Sequence, residues 1–373
     1  MRTHGGTPIL AVCFSALAAC PIAAAAQNRL TFTTVSAGAT HTCALTTRHR
    51  AYCWGDNGEG ELGSGERTDS PVPVAVAGGL LFLTIDAGVE FTCGVATSGE
   101  AYCWGRNATG ALGNAATPRS SVPVPVTGGL VFRTVATGSD HACGIAEDDR
   151  AYCWGANGEG QLGTGDTVSS ARPLPLAGAL RFRSITAGYA HTCGVTVDSL
   201  AYCWGRNVTG QLGTGRRASP LGPRPVAQRR RWQVLSAGAQ HTCGVTAGRH
   251  PVVFCWGSNF HGQGAGAFAN WSPNLAFDAS FIVGIDAGGR HTCIVRQVDN
   301  AITCFGNNLD DQLGRDVHGS YTQVSAGAAH TCALRPDGGI ACWGRNTEGQ
   351  LGNGSQYRQA RPVRVVGPVS LTP

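Results

Sequence analysis

Fourteen of the 16 cysteines in this 373-residue chain fall into pairs with nine to eleven residues between partners: Cys43/Cys53, Cys93/Cys103, Cys143/Cys153, Cys193/Cys203, Cys243/Cys255, Cys293/Cys304 and Cys332/Cys342. Thiols in such numbers can ligate metals, cycle redox equivalents or cross-link a frame. Zinc sites space their paired cysteines two to four residues apart, and redox centres favour Cys-x-x-Cys. Neither spacing occurs within these pairs, so cross-links are the chemistry expected.

Six histidines share one position relative to the first cysteine of each pair: His41, His141, His191, His241, His291 and His330, with Phe91 in the remaining copy. A ring of imidazoles would suit a metal or acid–base chemistry. Each, however, lies in a different repeat beside a glycine that strand register sets opposite, which keeps the six from converging on one ion. Structural hydrogen bonding is the expected role, and Phe91 shows that the position can dispense with imidazole. Trp54, Trp104, Trp154, Trp204, Trp256 and Trp343, with Phe305 in the sixth copy, follow the second cysteine at strand spacing and read as core between repeats. Asn57, Asn107, Asn157, Asn207, Asn259, Asn307 and Asn346 follow Trp-Gly-x or Phe-Gly-x, where asparagine organises turns by bonding local backbone. Asn107-Ala108-Thr109 and Asn207-Val208-Thr209 match the glycosylation pattern, a reading the bacterial-looking signal disfavours. No Gly-x-Ser-x-Gly elbow, phosphate-binding loop or His-Glu-x-x-His occurs. Acidic residues such as Glu59, Glu61, Glu147, Asp148 and Asp149 fall in turns, and nothing in the sequence joins two of them as an acid–base pair. No catalytic residue, metal site or cofactor is expected.

These residues are positioned by a repeat. The first cysteine recurs every 50 residues five times and once after 39, which marks one supersecondary unit copied along the chain. Each unit reads as four short runs bounded by Gly, Asn or Pro and rich in β-branched and aromatic residues, which are strands. In the first unit they fall near residues 31–37, 41–46, 50–55 and 71–76. The last unit fixes the register, because Pro336-Asp337-Gly338 has the chemistry of a three-residue hairpin loop. Counting outward, Arg335 faces Gly339 and Cys332 faces Cys342 at a non-hydrogen-bonded position, where α-carbons approach to about 4.5 Å. Each pair is therefore expected to form a disulfide within one hairpin. The same register sets Ala44 opposite Tyr52 and Gly94 opposite Tyr102, the small residue making room for the ring.

Four antiparallel strands repeated seven times predict an all-β, seven-bladed β-propeller with one intra-blade disulfide per repeat, in a single domain over residues 30–366 with a tail at 367–373. A linear solenoid is the alternative, but neither end carries a polar capping repeat. The sixth unit lacks a Pro-Val-Pro-Val run between Gly314 and Tyr321, so its outer edge is expected to be incomplete.

The motif Val35-Ser36-Ala37-Gly38-Ala39-Thr40-His41-Thr42-Cys43, with Trp154-Gly155 through Gln161-Leu162-Gly163, resembles the regulator of chromosome condensation repeat family over about residues 30–366. The resemblance implies a seven-bladed propeller. Cysteines stand where that family usually carries an aliphatic residue, as in an exported, disulfide-bearing branch. No single activity carries over: nuclear members exchange nucleotide on a small GTPase and bind chromatin, while secreted bacterial members inhibit β-lactamases with loops on one face.

Residues 1–26 read as an export signal, with an apolar core over Ile9–Ala19 and small residues at Ala24–Ala26. Leu17-Ala18-Ala19-Cys20 also fits a lipobox, so both cleavage and lipidation at Cys20 are open routes to a secreted, periplasmic or cell-surface protein. Later runs fall short of the roughly 18 apolar residues of a membrane span. Every basic side chain is arginine and the net charge is +5. Arg216, Arg217, Arg224, Arg229, Arg230 and Arg231 crowd one stretch, which reads as a solvated loop more than a polyanion patch. No nucleic acid partner is expected, and the chain is taken as a monomer.

Within the repeated frame, the two residues between Gly and His vary freely from copy to copy. Glu90, Asp140, Tyr189, Gln240 and Arg290 come from these turns, and Phe260, His261, Phe268 and Trp271 from the divergent fifth-unit loop. Together they are the expected surface for a protein partner, because loops on a rigid frame carry specificity. The function expected is a non-enzymatic binding scaffold, with an inhibitor of a secreted enzyme or a glycan-active propeller as alternatives.

Overall fold

The computed structural model describes residues 30–116, 118–264, 270–277 and 282–367. Seven antiparallel sheets follow one another along the chain, six of four strands and the sixth of three. In blade 1 the strands are Phe32–Ala37, His41–Thr46, Ala51–Gly55 and Ser70–Ala75, within a residue or so of the ranges read from sequence. The first strand of every blade touches that of the next, and the seventh returns to the first, so the first strands line a central channel and the fourth strands form the outer wall. Each blade is made of consecutive strands, and closure needs no strand exchanged between the termini. Blade 7 instead grips blade 1 through Gln323, whose amide accepts from Val35 N–H at 3.1 Å and donates to Val35 C=O at 2.9 Å.

All seven hairpin disulfides form, with Cα separations of 4.0–4.1 Å, between residues directly opposite in the register. The register counted from a three-residue loop needs amending at Cys255, which stands 12 positions from Cys243 where most pairs stand 10 apart. Its hairpin closes with Thr246 N–H on Val252 C=O, whereas blade 1 closes with Thr46 N–H on Arg50 C=O. The turn takes up the two extra residues, and Cys255 still opposes Cys243. Cys293 and Cys304, 11 apart, are likewise opposed. Cys255 also differs on its far side, facing the polar Asn274 of its fourth strand where Cys53 faces Val74.

Ala44 opposes Tyr52 and Gly94 opposes Tyr102 as expected. The ring that requires the small residue is a different one, however. A β-carbon on Gly94 would lie 2.7 Å from Phe82 Cδ1, and one on Gly144 2.6 Å from Phe132 Cδ1, so the glycine accommodates the aromatic that opens the inner strand. The tyrosine meets that phenylalanine edge-on, as Phe82 and Tyr102 do at 6.5 Å.

The tryptophans are the mortar between blades. Trp104 is fully buried, and its indole N–H donates to Glu61 C=O of the preceding blade at 2.8 Å. Trp154, Trp204, Trp256, Trp343 and Trp54 repeat the contact around the ring. The asparagines organise the loop behind each tryptophan: Asn57 Nδ2 donates to Glu66 and Thr68 carbonyls, and its Oδ1 accepts from Leu62 N–H.

Candidate functional site

Each variable turn joins the innermost strand of a blade to the second, which places it at the mouth of the channel. The carbonyl of its second residue accepts the N–H of the residue two positions after the tryptophan, or after Phe305 in blade 6, as in Arg106 N–H to Glu90 C=O at 2.8 Å and Asn307 N–H to Arg290 C=O at 2.9 Å. The turns and the long loops therefore share one face. Successive turns are also linked, for example Val89 N–H to Gly138 C=O at 3.3 Å and Ala328 N–H to Gly38 C=O at 3.2 Å, so they form a near-continuous rim around the channel.

On that rim, Tyr189, Gln240 and Arg290 are exposed, while Glu90 and Asp140 are half-buried. Glu90 is ion-paired with Arg106. Asp140 accepts from Ser139 Oγ at 2.7 Å. Arg290 has no carboxylate partner among the described residues. Phe260 is 82% exposed, and the neighbouring His261 Nδ1 lies 3.4 Å from Asn307 Nδ2 of blade 6.

Trp271 lies at the outer edge of this face and in a strand, not in the loop as expected. It lies in the fourth strand of blade 5, Asn270–Phe277, about 14 Å outward from the inner strand at three strand spacings. There it stacks on the Arg217 guanidinium, 5.2 Å from its ring centroid. The tryptophan occupies a strand because the fifth-unit loop ends earlier than its composition implied. Phe268 lies outside the described residues, as do residues 1–26 with Cys20.

The arginine-rich stretch is divided by the same topology. Arg216 and Arg217 precede the fourth strand of blade 4 on the rim face, whereas Arg229, Arg230 and Arg231 follow it on the opposite face. Arg230 lies over the Phe254 ring at 4.2 Å, and Arg231 donates to Asp198 C=O at 2.8 Å.

The histidines are buried and linked blade to blade. In six cases Nε2 lies 2.8–2.9 Å from a threonine hydroxyl of the following blade, from His41 with Thr92 round to His330 with Thr42. Each threonine hydroxyl donates onward to a carbonyl, Thr92 to Glu61 and Thr192 to Gln161. A hydroxyl has one proton, so the imidazole must be the donor to threonine, which sets the Nε2–H tautomer. Burial lowers their pKa values to about 3 or about 4, leaving them neutral at pH 7. Where phenylalanine replaces histidine, at Phe91, the partner position in the next blade is Ala142. Donor and acceptor are lost together. Among the described residues, no three His, Cys, Asp or Glu side chains are placed to hold a metal.

Sequence reasoning implied a central channel but missed the side chains that line it. A cavity of about 270 Å³ there is lined by Ser36, Asp86, Asp286 and Ser325 among others. Asp86 accepts from Ser36 Oγ at 3.0 Å and from Thr137 N–H at 2.7 Å, bridging blades 1 and 3. Asp286 accepts from Ser236 Oγ at 2.8 Å and Ala326 N–H at 2.8 Å, bridging blades 5 and 7. Burial raises Asp86 to about 6 and Asp286 upward, against the pull of these hydrogen bonds. The two carboxylates face one cavity, which no local motif announces, although both occupy the x of the repeated Val/Ile-x-Ala-Gly. Glu61, read from sequence only as a turn residue, replaces the glutamine of five other copies and is 1% exposed, and burial raises it to about 7.

The comparisons agree with this geometry. Residues 15–275 match the RCC1-like domain model, and residues 321–350 and 337–372 match models of the regulator of chromosome condensation (RCC1) repeat. No curated protein matches the sequence. Among solved structures, Prp20p from Saccharomyces cerevisiae superposes with a TM-score of 0.75 at 19% identity, over 91% of this chain and 88% of its own. Human WBSCR16 gives 0.61 at 18% identity, over 91% and 82%. The CRINKLY WD40 ectodomain of the Arabidopsis thaliana receptor kinase ACR4 gives 0.59 at 19% identity, over 91% and 99%. Such identities establish shared fold alone. With the family model matching over two-thirds of its length and seven blades each built from one repeat, the chain belongs to the RCC1-like propeller family.

Proposed function

We propose that this protein is an exported, non-catalytic propeller that binds a protein partner through the rim of variable turns. The observation behind the reading is internal to the chain: seven copies keep the residues that build blades, while the paired positions at the channel mouth differ in size, charge and polarity. Rigid frames with variable loops at one end suit recognition. Prp20p, whose structure was described with its binding to Gsp1p and histones, is a precedent for partner binding on this fold. Seven disulfides fit an oxidising compartment, and residues 1–26 supply the route there, with or without lipidation at Cys20. A glycan-active alternative would rest on Asp86 and Asp286, both already engaged in bridging neighbouring blades.

The test is site-specific photo-crosslinking in the native envelope or medium. A photoreactive residue at Tyr189, Gln240 or Arg290 should label one shared partner. The same residue at Glu147 or Val197, exposed on the opposite face, should not. Equal labelling from both faces would refute the assignment.

A further inference from the structure

Blade 6 has three strands, and its third strand, Ile302–Gly306, ends the sheet. The interval from His291 to His330 is 39 residues against 50 between most copies, and the shortening falls where a fourth strand would be. Gly314 leads almost directly to Val317, whose side chain meets Gly314 much as Val126 meets Gly113 in blade 2, where the chain first makes its fourth strand. By strand alternation the N–H and C=O groups of Ile302, Cys304 and Gly306 point away from the second strand. Among the described residues none of these groups has a hydrogen-bond partner.

An independent observation shows that the slot is open space. Gly60, Gly110, Gly160 and Gly349 each press against the following blade, where an added β-carbon would lie 2.5–2.8 Å from Pro71, Ser121, Ala171 or Leu221 at the start of its outer segment. Gly262, the same glycine in blade 5, has nothing within 4 Å among the described residues. The uncovered side reaches the core: Cys304 is half-buried, whereas Cys53, Cys103, Cys153, Cys203 and Cys342 are fully buried and Cys255, beneath its own fourth strand, is nearly so.

We propose that this edge is a second docking site, taking an extended segment of a partner protein as the fourth strand of blade 6. The other blades specify what fits. Val74, Val124, Leu174 and Val363 lie opposite the third-strand cysteine, each directly preceded by proline. Arg224 and Asn274 take that place opposite Cys203 and Cys255, and proline precedes them too. Proline is tolerated because its missing N–H faces outward, and the residue after it supplies the ladder bonds to cysteine. The segment bound is therefore an extended sequence running antiparallel to Ile302–Gly306, with Pro-Val or Pro-Leu at its centre as in four of the six complete blades. Its first residues would pass Phe260 and His261, where Arg119 of the blade 2 strand meets Glu59 at 3.3 Å. This site lies on the outer wall and does not depend on the rim described above.

The experiment uses the full chain and a fluorescent peptide with the sequence of residues 119–126, the protein's own fourth strand from blade 2. Saturable binding is expected, with new amide-exchange protection at Ile302, Cys304 and Gly306. A peptide carrying Val124→Pro, which lacks the N–H facing cysteine, should bind at least tenfold more weakly. So should a protein in which residues 64–75 replace Arg315-Asp316, filling the slot in cis. Four results would overturn the proposal: no binding at millimolar peptide, equal binding by the filled protein or the proline peptide, these amides already protected in the free monomer, or a concentration-dependent dimer that protects them.

Discussion

The pairing of Phe91 with Ala142, where other blades pair histidine with threonine, can be imposed on another blade and measured. In His141–Thr192 the imidazole and hydroxyl are both fully buried, 2.9 Å apart, and Thr192 donates onward to Gln161 C=O at 2.8 Å. Thr192→Ala leaves the His141 Nε2–H without an acceptor in a dry site, costing about 1–3 kcal/mol. Gln161 C=O keeps its other donor, the Trp204 indole, so little is lost there. His141→Phe alone crowds an apolar edge against the hydroxyl and removes its incoming donor, costing about 1–2 kcal/mol. The double variant recreates the Phe91/Ala142 pair and strands neither group. Its cost should fall short of the sum of the single costs by about 1–2 kcal/mol. The assay is a double-mutant cycle in guanidinium unfolding at pH 7 with disulfides intact, where His141 is neutral because its pKa lies at about 4. Costs that add within about 0.5 kcal/mol would show that the two residues are not energetically paired and would refute the reasoning.

Acid should destabilise the fold over a defined window. The six buried histidines sit at about 3 to about 4 against 6.5 when unfolded, so the unfolded chain takes up protons first and stability falls from pH 6.5 toward pH 4. Asp86, raised to about 6, Glu61, raised to about 7, and Asp286, also raised, act in the opposite sense, each contribution being lost as pH rises through its folded value, but these three are outnumbered by the six histidines. Denaturation midpoints that climb between pH 6.5 and 4.5 would contradict this. Glu61→Gln installs the residue found at Gln161 and Gln211. It should stabilise the protein by on the order of 1–3 kcal/mol at pH 8–9 and little at pH 5, because burial holds Glu61 up to about 7; unfolding midpoints with the same gain at both pH values would count against that cause. Replacing Cys143 and Cys153 together by alanine should cost about 2–3 kcal/mol in the same unfolding assay, and non-reducing peptide mapping should recover the other six links. Gly188→Ala would place a β-carbon 2.3 Å from Gly238 C=O and His191 Cε1, so a loss of at least about 2 kcal/mol is expected. Gly78→Ala meets no atom within 4 Å and should cost about 1 kcal/mol for its positive φ; equal losses would rule out the inter-blade contact as the cause.

Much of the frame was legible because its determinants are local. Period-two strands and a Pro-Asp-Gly hairpin set Cys332 opposite Cys342, and repetition carried that register to the other blades, with the longer turn before Cys255 bulging outward and leaving the strands in step. The incomplete sixth blade followed from a missing run of residues. The candidate site was less legible. The turns were placed correctly on one face, because strand direction alone decides that. Trp271 was read as a loop residue and lies in a strand, because an irregular loop gives no count of where the next strand begins. The signal for the histidine partner was present in the coincidence of Phe91 with Ala142, 51 residues apart, but it acquires meaning only when one blade is packed on the next. Asp86 and Asp286 went unremarked, because each is a single strand residue and their convergence on one cavity exists only in the closed ring.

The amino-acid sequence by itself determined the repeat, its four strands, the disulfide in each hairpin and the side of the ring that carries variable residues. These depend on neighbours within about a dozen positions, whose geometry is the same in any context. The tertiary structure alone decided which ring the small residue opposite tyrosine accommodates, which hydroxyl each histidine meets, that two aspartates share one channel, and that an absent strand leaves a cysteine and its backbone uncovered. The histidine and aspartate contacts cross from blade to blade, the ring and edge contacts join strands distant from any local motif, and the His330–Thr42 link forms only because the seventh blade closes on the first.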